Sequence, residues 1–159
     1  SKELTDKMRT SVEYLLLLCM AAVATVSLAK KTFSYTDALS AATAHYNQES
    51  VETNAFKPPK VAPLKGMSMF IPGDGSGTEY TIRFILKETV CPKLVDYGKE
   101  ECDFKENGSL KKCTGLVTVV RAKPGEASAV VVTCEEVTDP EERKKLEEPP
   151  SWWYLFGGS

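Results

Sequence analysis

The sequence of 159 residues contains a single histidine, His45, and lacks a nucleophile motif such as Gly-x-Ser-x-Gly. A lone histidine with neither a second ligand nor a nucleophile to activate is usually structural. We therefore predict no enzymatic activity, no catalytic residue, no metal site and no cofactor. The net charge is only −2, so no excess of cations favours nucleic acid as a partner.

A long transmembrane run is also missing, because the apolar stretch at residues 14–29 has only 16 uncharged residues, against about 20 for a spanning helix. Such a run is typical of the core of a secretory signal, and Ser27 and Ala29 are small residues where a signal peptidase reads the chain. We predict a signal peptide over residues 1–29 and a secreted protein, extracellular or in a secretory granule. An uncleaved signal anchor is the alternative.

Met8 followed by Arg9 has the form of a natural start with a positively charged first segment, so residues 1–7 are interpreted as an upstream extension. The remaining length leaves room for one domain with appendages. We predict that the domain covers residues 30–137 and that an acidic linker and a Trp-rich tail cover residues 138–159.

Removal of the signal removes Cys19 and leaves an even number of cysteines, as expected in an oxidising compartment. The four that remain are Cys91, Cys102, Cys113 and Cys134, separated by ten, ten and twenty residues. Zinc sites usually need pairs two to four residues apart, and such pairs are absent. Three disulfide pairings are possible, and we favour Cys91–Cys102 with Cys113–Cys134 because each closes a local loop.

The domain begins with a predicted helix over residues 30–50. Ser34 and Asp37 have the spacing of a capping box. An apolar stripe at helical spacing follows, formed by Tyr35, Ala38, Leu39, Ala42 and Tyr46. The small residues on this stripe would let a sheet approach the helix closely, and His45 lies beside it.

Alternating apolar residues then predict strands over residues 65–71, 78–91, 111–121 and 127–134, with a short one over residues 102–106. In the strand over residues 78–91, Glu88 interrupts the apolar face and Ile85 is the apolar exception on the polar face. The predicted apolar face consists of Tyr80, Ile82, Phe84, Leu86 and Val90. Residues 72–77, Pro-Gly-Asp-Gly-Ser-Gly, lack the Lys-Ser/Thr and the helix of a phosphate-binding loop, so they are interpreted as a hairpin connection. The predicted fold class is α+β: one N-terminal helix packed on a four- to five-stranded antiparallel sheet with two disulfides.

Asn107-Gly108 is a strong signal for a two-residue hairpin turn, because both residues tolerate a positive φ. With Ser109 it also forms the Asn-x-Ser acceptor of N-glycosylation in a secreted protein. We therefore treat Asn107 as a candidate glycosylation site.

The composition changes after Cys134. Residues 135–148 are highly charged and are interpreted as an exposed linker, in which Arg143, Lys144 and Lys145 form a candidate processing site. The large apolar residues of the tail either pack on the domain or bind a membrane interface or a partner. The candidate contact residues are Trp152, Trp153, Tyr154 and Phe156.

Several segments resemble the cathelin-like propeptide of the cathelicidin family of host-defence precursors. They are residues 33–50, 87–92, 102–108, 111–115 and 132–137, in that order. The resemblance covers about residues 33–137. It implies a cystatin-like fold, the two local disulfides proposed above, a preceding signal peptide, and an antimicrobial peptide released by a processing protease after a site such as Val137.

The tail departs from that pattern, because family peptides are usually cationic and so concentrate on anionic lipid. Residues 138–159 carry three cations and five anions, a net charge of −2. The partners that we expect are a processing protease and either a bacterial membrane or the domain's own C-terminal peptide.

Kinship with cystatins offers an alternative function, inhibition of cysteine proteases or binding of another secreted partner with the tail unprocessed. Cystatin inhibitors use a Gln-x-Val-x-Gly hairpin and a Pro-Trp loop. Here Pro72–Gly77 stands where the first would be, and the loop that contains Pro124 and Gly125 has no tryptophan.

Overall fold

The computed structural model describes residues 2–26, 31–60, 65–94, 101–148, 151 and 155. The chain divides into two compact units, Ser1–Lys31 and Thr32–Ser159. The elements in chain order are α1 (Lys2–Val26), α2 (Tyr35–Glu49), β1 (Asn54–Lys57), β2 (Gly66–Phe70), β3 (Gly77–Pro92), β4 (Leu110–Val120), β5 (Ala129–Glu136) and α3 (Pro140–Glu147).

The first unit contains α1, whose side chains over residues 2–18 are exposed. No helix in the described ranges is both long and apolar enough to cross a membrane. Residues 27–30, which include the predicted signal cleavage site, lie outside the described residues. The signal peptide and the domain boundaries therefore stay predictions.

The second unit is built on one antiparallel sheet in the order β1-β3-β4-β5. β3 is its longest strand, and β2 also pairs with β3 through the register Met67 to Ile82 and Met69 to Tyr80. The β2–β3 connection is a hairpin loop as predicted. Gly75 takes a φ of +68° there, and its N–H donates to the Pro72 carbonyl at 3.1 Å.

α2 packs on one face of this sheet. Its first turn has the predicted capping box, in which Ser34 and Asp37 bond reciprocally through side chain and backbone. Ala38 and Ala42 are fully buried, and a Cβ added at Gly115 of β4 would lie 3.3 Å from the Ala42 Cβ. Small residues on both elements thus allow the close approach that the sequence predicts.

The core between helix and sheet consists mainly of aromatic and aliphatic side chains. Its buried members are Phe33, Ala38, Ala42, Phe56, Ile82, Phe84, Leu86, Cys113, Val117 and Val119. One helix on a five-stranded antiparallel sheet with two disulfides confirms the predicted α+β fold class.

Several details of the second unit differ from the sequence-based expectation. The helix predicted over residues 30–50 is shorter, Tyr35–Glu49, and the short strand predicted over residues 102–106 is only an isolated bridge between Phe104 and β3. The strand β1 was not predicted, because its pairing depends on tertiary contacts: the Asn47 side chain bonds the N–H and the carbonyl of Phe56, both at 2.8 Å. The apolar face of β3 also does not continue to Val90, which is 56% exposed, while Thr89 is fully buried and donates to the Ala55 carbonyl at 2.6 Å.

Candidate processing site

The face of the sheet opposite α2 carries a second, smaller apolar cluster. Ile85, Leu110 and Val137 are its buried members, and Leu146 of α3 packs against them. Val137, the first candidate processing residue, is only 5% exposed. Its N–H donates to the Leu110 carbonyl at 2.9 Å, which extends the β4–β5 pairing by one residue.

α3 covers this cluster, so part of the segment expected to be an exposed linker is a helix. Asp139 caps α3 by accepting the Glu141 N–H at 3.0 Å, and Pro140 occupies the first turn. Acidic residues in the first turn and lysines in the last complement the helix dipole. The sequence Asp-Pro-Glu-Glu is a helix-start signal that could have predicted α3.

Polar contacts from two strands and from the turn before β4 hold α3 on the sheet. Glu142 pairs with Lys112 of β4 at 2.6 Å, and Glu147 pairs with Lys87 of β3 at 3.6 Å. The Arg143 guanidinium donates to the Gly108 carbonyl at 2.5 Å. The pairing with Glu142 raises the pKa of Lys112 above its ordinary value.

The three residues of the basic triplet are therefore not equivalent. Arg143 is half-buried and also pairs with Glu147 at 3.2 Å. Lys144 and Lys145 are exposed, and the Lys144 side chain is 76% accessible to solvent. The sequence predicts one site at this triplet, whereas the structure distinguishes its three residues by their contacts.

The turn before β4 supplies the carbonyl to which Arg143 is bonded. Its hydrogen bond runs from the Gly108 N–H to the Lys105 carbonyl at 3.0 Å, and Asn107 takes a φ of 54°. The predicted turn is thus present but lies one residue earlier. Gly108 is buried, and a Cβ there would come within 3.1 Å of Lys105 and Glu88.

Glu88 fixes this turn from the adjacent strand. Its carboxylate accepts from the Ser109 N–H and the Asn54 side-chain amide, each at 2.9 Å, and from the Lys105 ammonium at 3.1 Å. Burial alone would raise the pKa of Glu88, but these donors outweigh it and hold the pKa below its ordinary value. Asn107 itself is exposed, and its glycosylation stays a prediction.

A second charged cluster ties β4 and β5 to the segment after α2. The Lys111 ammonium contacts Glu136 at 2.7 Å and Glu52 at 3.0 Å, and it lies over the Phe56 ring, 5.7 Å from its centroid. Burial would lower the pKa of Lys111, but its two carboxylate partners raise it well above the ordinary value. Burial would also raise the pKa of Glu136, but Lys111 and the Ser109 hydroxyl outweigh it, so the pKa of Glu136 lies below its ordinary value.

Two disulfides join neighbouring segments of the sheet. Cys113–Cys134 joins residues that are directly paired in β4 and β5, and Cys91–Cys102 joins the end of β3 to the segment before the turn. These are the two local pairs favoured from the sequence. They fix the strands from which Val137 and α3 continue.

The contact role of the candidate residues in the tail stays a prediction. Trp152, Trp153, Tyr154 and Phe156 lie outside the described residues, and nearby Leu155 is 78% exposed. His45 lies half-buried on α2. Within the ranges that the structure describes, no group of three His, Cys, Asp or Glu side chains is placed to hold a metal ion.

The family model of the cathelicidins matches residues 31–139. Protegrin-2 of Sus scrofa is 33% identical over 128 residues, covering 77% of this chain and 77% of that protein. The cathelicidin antimicrobial peptide of Saguinus oedipus is 36% identical over 109 residues, covering 69% of this chain and 61% of that protein. Dimeric human cystatin F, a crystal structure, aligns with a TM-score of 0.49 at 20% identity, covering 65% of this chain and 78% of that one.

Proposed function

The chain belongs to the cathelicidin family, and we propose that it is a secreted, non-enzymatic host-defence precursor from which a protease releases the C-terminal segment. The observation that carries this proposal is the match of the family model to residues 31–139, which ends two residues beyond Val137. The disulfide-bonded domain would then be the propeptide, and the segment after Val137 would be its cargo.

The contacts of α3 support a carrier role for the domain toward its own C-terminal segment. Leu146 packs on the apolar cluster, and Glu142 and Glu147 pair with lysines of the sheet. An acidic segment on a cationic sheet face is a complementary arrangement. The net charge of −2 over residues 138–159 gives no attraction to anionic lipid, so membrane contact would rest on the aromatic residues of the tail.

The test is the intact mass of the protein secreted from its native cells, measured with and without reduction. We expect a start at Lys30, two disulfides, an end at Val137 in a processed fraction, and a complementary peptide beginning at Thr138. An additional mass removed by a glycosidase would assign a glycan to Asn107. A secreted chain that always retains Ser159, even in activated cells, would contradict the precursor function.

A further inference from the structure

The bond between Val137 and Thr138 is not available for cleavage in the folded protein. A protease that cuts after valine must place the valine side chain in its own specificity pocket. Here Val137 is 5% exposed and packs with Ile85 and Leu110, and its N–H donates to the Leu110 carbonyl. Cleavage at this bond therefore requires α3 to leave the sheet first.

Four residues of α3 hold it in place, and its apolar anchor lies near its C-terminal end. Leu146 is its one apolar anchor on the cluster of Ile85, Leu110 and Val137. Glu147 pairs with Lys87 and also with Arg143, which it holds near the Gly108 carbonyl. Loss of Leu146 and Glu147 would leave two polar contacts, the ion pair of Glu142 with Lys112 and the hydrogen bond from Arg143 to the Gly108 carbonyl, and would remove the apolar anchor.

The exposed lysines lie directly before these anchors. A cut after Lys144 or Lys145 separates Leu146 and Glu147 from the domain. The remaining piece of α3, from Pro140 onward, would have five or six residues. Helices that short are unstable in water without tertiary packing. The exposed position of the two lysines makes the bonds after them better substrates than the bond after Arg143.

We propose that release of the C-terminal segment is ordered. A trypsin-like protease first hydrolyses the bond after Lys144 or Lys145, α3 then unfolds, and a protease specific for small aliphatic residues hydrolyses the bond after Val137. Each step adds one water across one peptide bond and leaves a carboxylate and an amine. This inference rests on the proposed function, since it specifies the protease classes and the sequence of cuts.

The experiment measures the rate of cleavage after Val137 by mass spectrometry, with pancreatic elastase as the probe protease. Four samples of the full secreted chain are compared: the unaltered chain, the chain pretreated with immobilised trypsin until the cut in α3 is complete, Leu146→Ala, and the control Leu155→Ala. We expect pretreatment and Leu146→Ala to raise the rate about tenfold, because each removes the apolar anchor. Leu155→Ala, at an exposed position, should match the unaltered chain.

A charge exchange distinguishes an effect on the docking of α3 from a loss of stability of the whole domain. Lys112→Glu should accelerate the elastase cut, because it repels Glu142, and the double variant Lys112→Glu with Glu142→Lys should restore the slow rate. Circular dichroism and the two intact disulfides show that each variant is folded. Rescue by the double variant would be unexpected if Lys112→Glu acted only by unfolding the domain.

The possible results separate a failure of the ordered release from a failure of the proposed function. Equal elastase rates in the unaltered, pretreated and Leu146→Ala samples would overturn the ordering and leave the precursor function intact. A cut by trypsin that falls outside α3 while Lys144 and Lys145 stay uncut would also overturn the ordering. Absence of cleavage after Val137 in all four samples would overturn the second step of the ordering, whereas the mass of the secreted protein tests the precursor function separately.

Discussion

At the scale of single residues, the charged side chains of this domain act as connectors between segments. Glu88, which interrupts the apolar face of β3 in the sequence, accepts hydrogen bonds from Asn54, Lys105 and Ser109. The sequence marks Glu88 as an exception to the strand pattern. It cannot show which donors surround that carboxylate, because they come from segments up to 34 residues away.

Glu88→Gln should lower the free energy of unfolding by about 1 kcal/mol at pH 7. The reason is that a neutral amide replaces a carboxylate that accepts three hydrogen bonds and is partly accessible to water. The folded-state pKa of Glu88 lies below its ordinary value of 4.5. Its ionised form therefore stabilises the fold above that pH, and this contribution is lost as the pH falls through the folded pKa. Urea denaturation from pH 7 to pH 3 should show the unaltered chain and the variant converging.

The matched control is Glu79→Gln, a half-exposed carboxylate on the same strand. We expect it to change the free energy of unfolding by less than about 0.5 kcal/mol. A constant difference between Glu88→Gln and the unaltered chain across the whole pH range would mean that shape, and not charge, accounts for the role of Glu88.

At the scale of elements, the contact between α2 and β4 depends on small side chains on both sides. Ala42 is fully buried, and Gly115 lies opposite it among Ile82 and Phe84. The helical stripe and its alanines predict which face of α2 is buried. Their partner on β4 could not be predicted, because it follows from the register that aligns Gly115 with Ile82.

Ala42→Leu should destabilise the domain by about 1–3 kcal/mol, because the larger side chain has no space between helix and sheet. Ala44→Leu, at an exposed position of the same helix, should change stability by less than about 0.5 kcal/mol. Thermal and urea denaturation of both variants checks the difference. Equal stability of the two variants would show that α2 can shift away from the sheet at little cost.

α3 shows why the pattern of charges misled the sequence-based interpretation. Residues 140–147 contain one large apolar residue, Leu146, so no amphipathic stripe is visible. The surface that receives Leu146 is assembled from three strands or strand ends, and only its geometry shows the match. Ile85, on the otherwise polar face of β3, was the sequence signal that this face is partly covered.

At the scale of the whole molecule, the two apolar clusters differ in role: the larger one stabilises the fold, and in our proposal the smaller one holds the segment that is released. Among the described residues, the larger one, between α2 and the sheet, has ten buried members, whereas the smaller one has three. The cysteine spacing and the strand pattern predict the larger cluster and the disulfides, because both follow from local alternation. The smaller cluster involves a segment whose composition resembles a linker, so it appeared only in the structure.

A chain ending at Asp139 should therefore stay folded and lose only about 1–3 kcal/mol of unfolding free energy. It loses the half-buried Leu146 and the ion pairs of Glu142 and Glu147, whose side chains are 43% and 34% exposed and contribute little. The newly exposed Ile85, Leu110 and Val137 should increase the fluorescence of a bound hydrophobic dye. Urea denaturation with both disulfides intact gives the stability.

The comparison is a chain ending at Thr133, which also loses Cys134 and the end of β5. Removal of a disulfide that joins paired core strands costs about 2–5 kcal/mol in a small secreted domain, enough to abolish cooperative unfolding. If the chain ending at Asp139 also unfolded without cooperativity, α3 would be part of the folding unit. The propeptide could then not survive the release of its C-terminal segment.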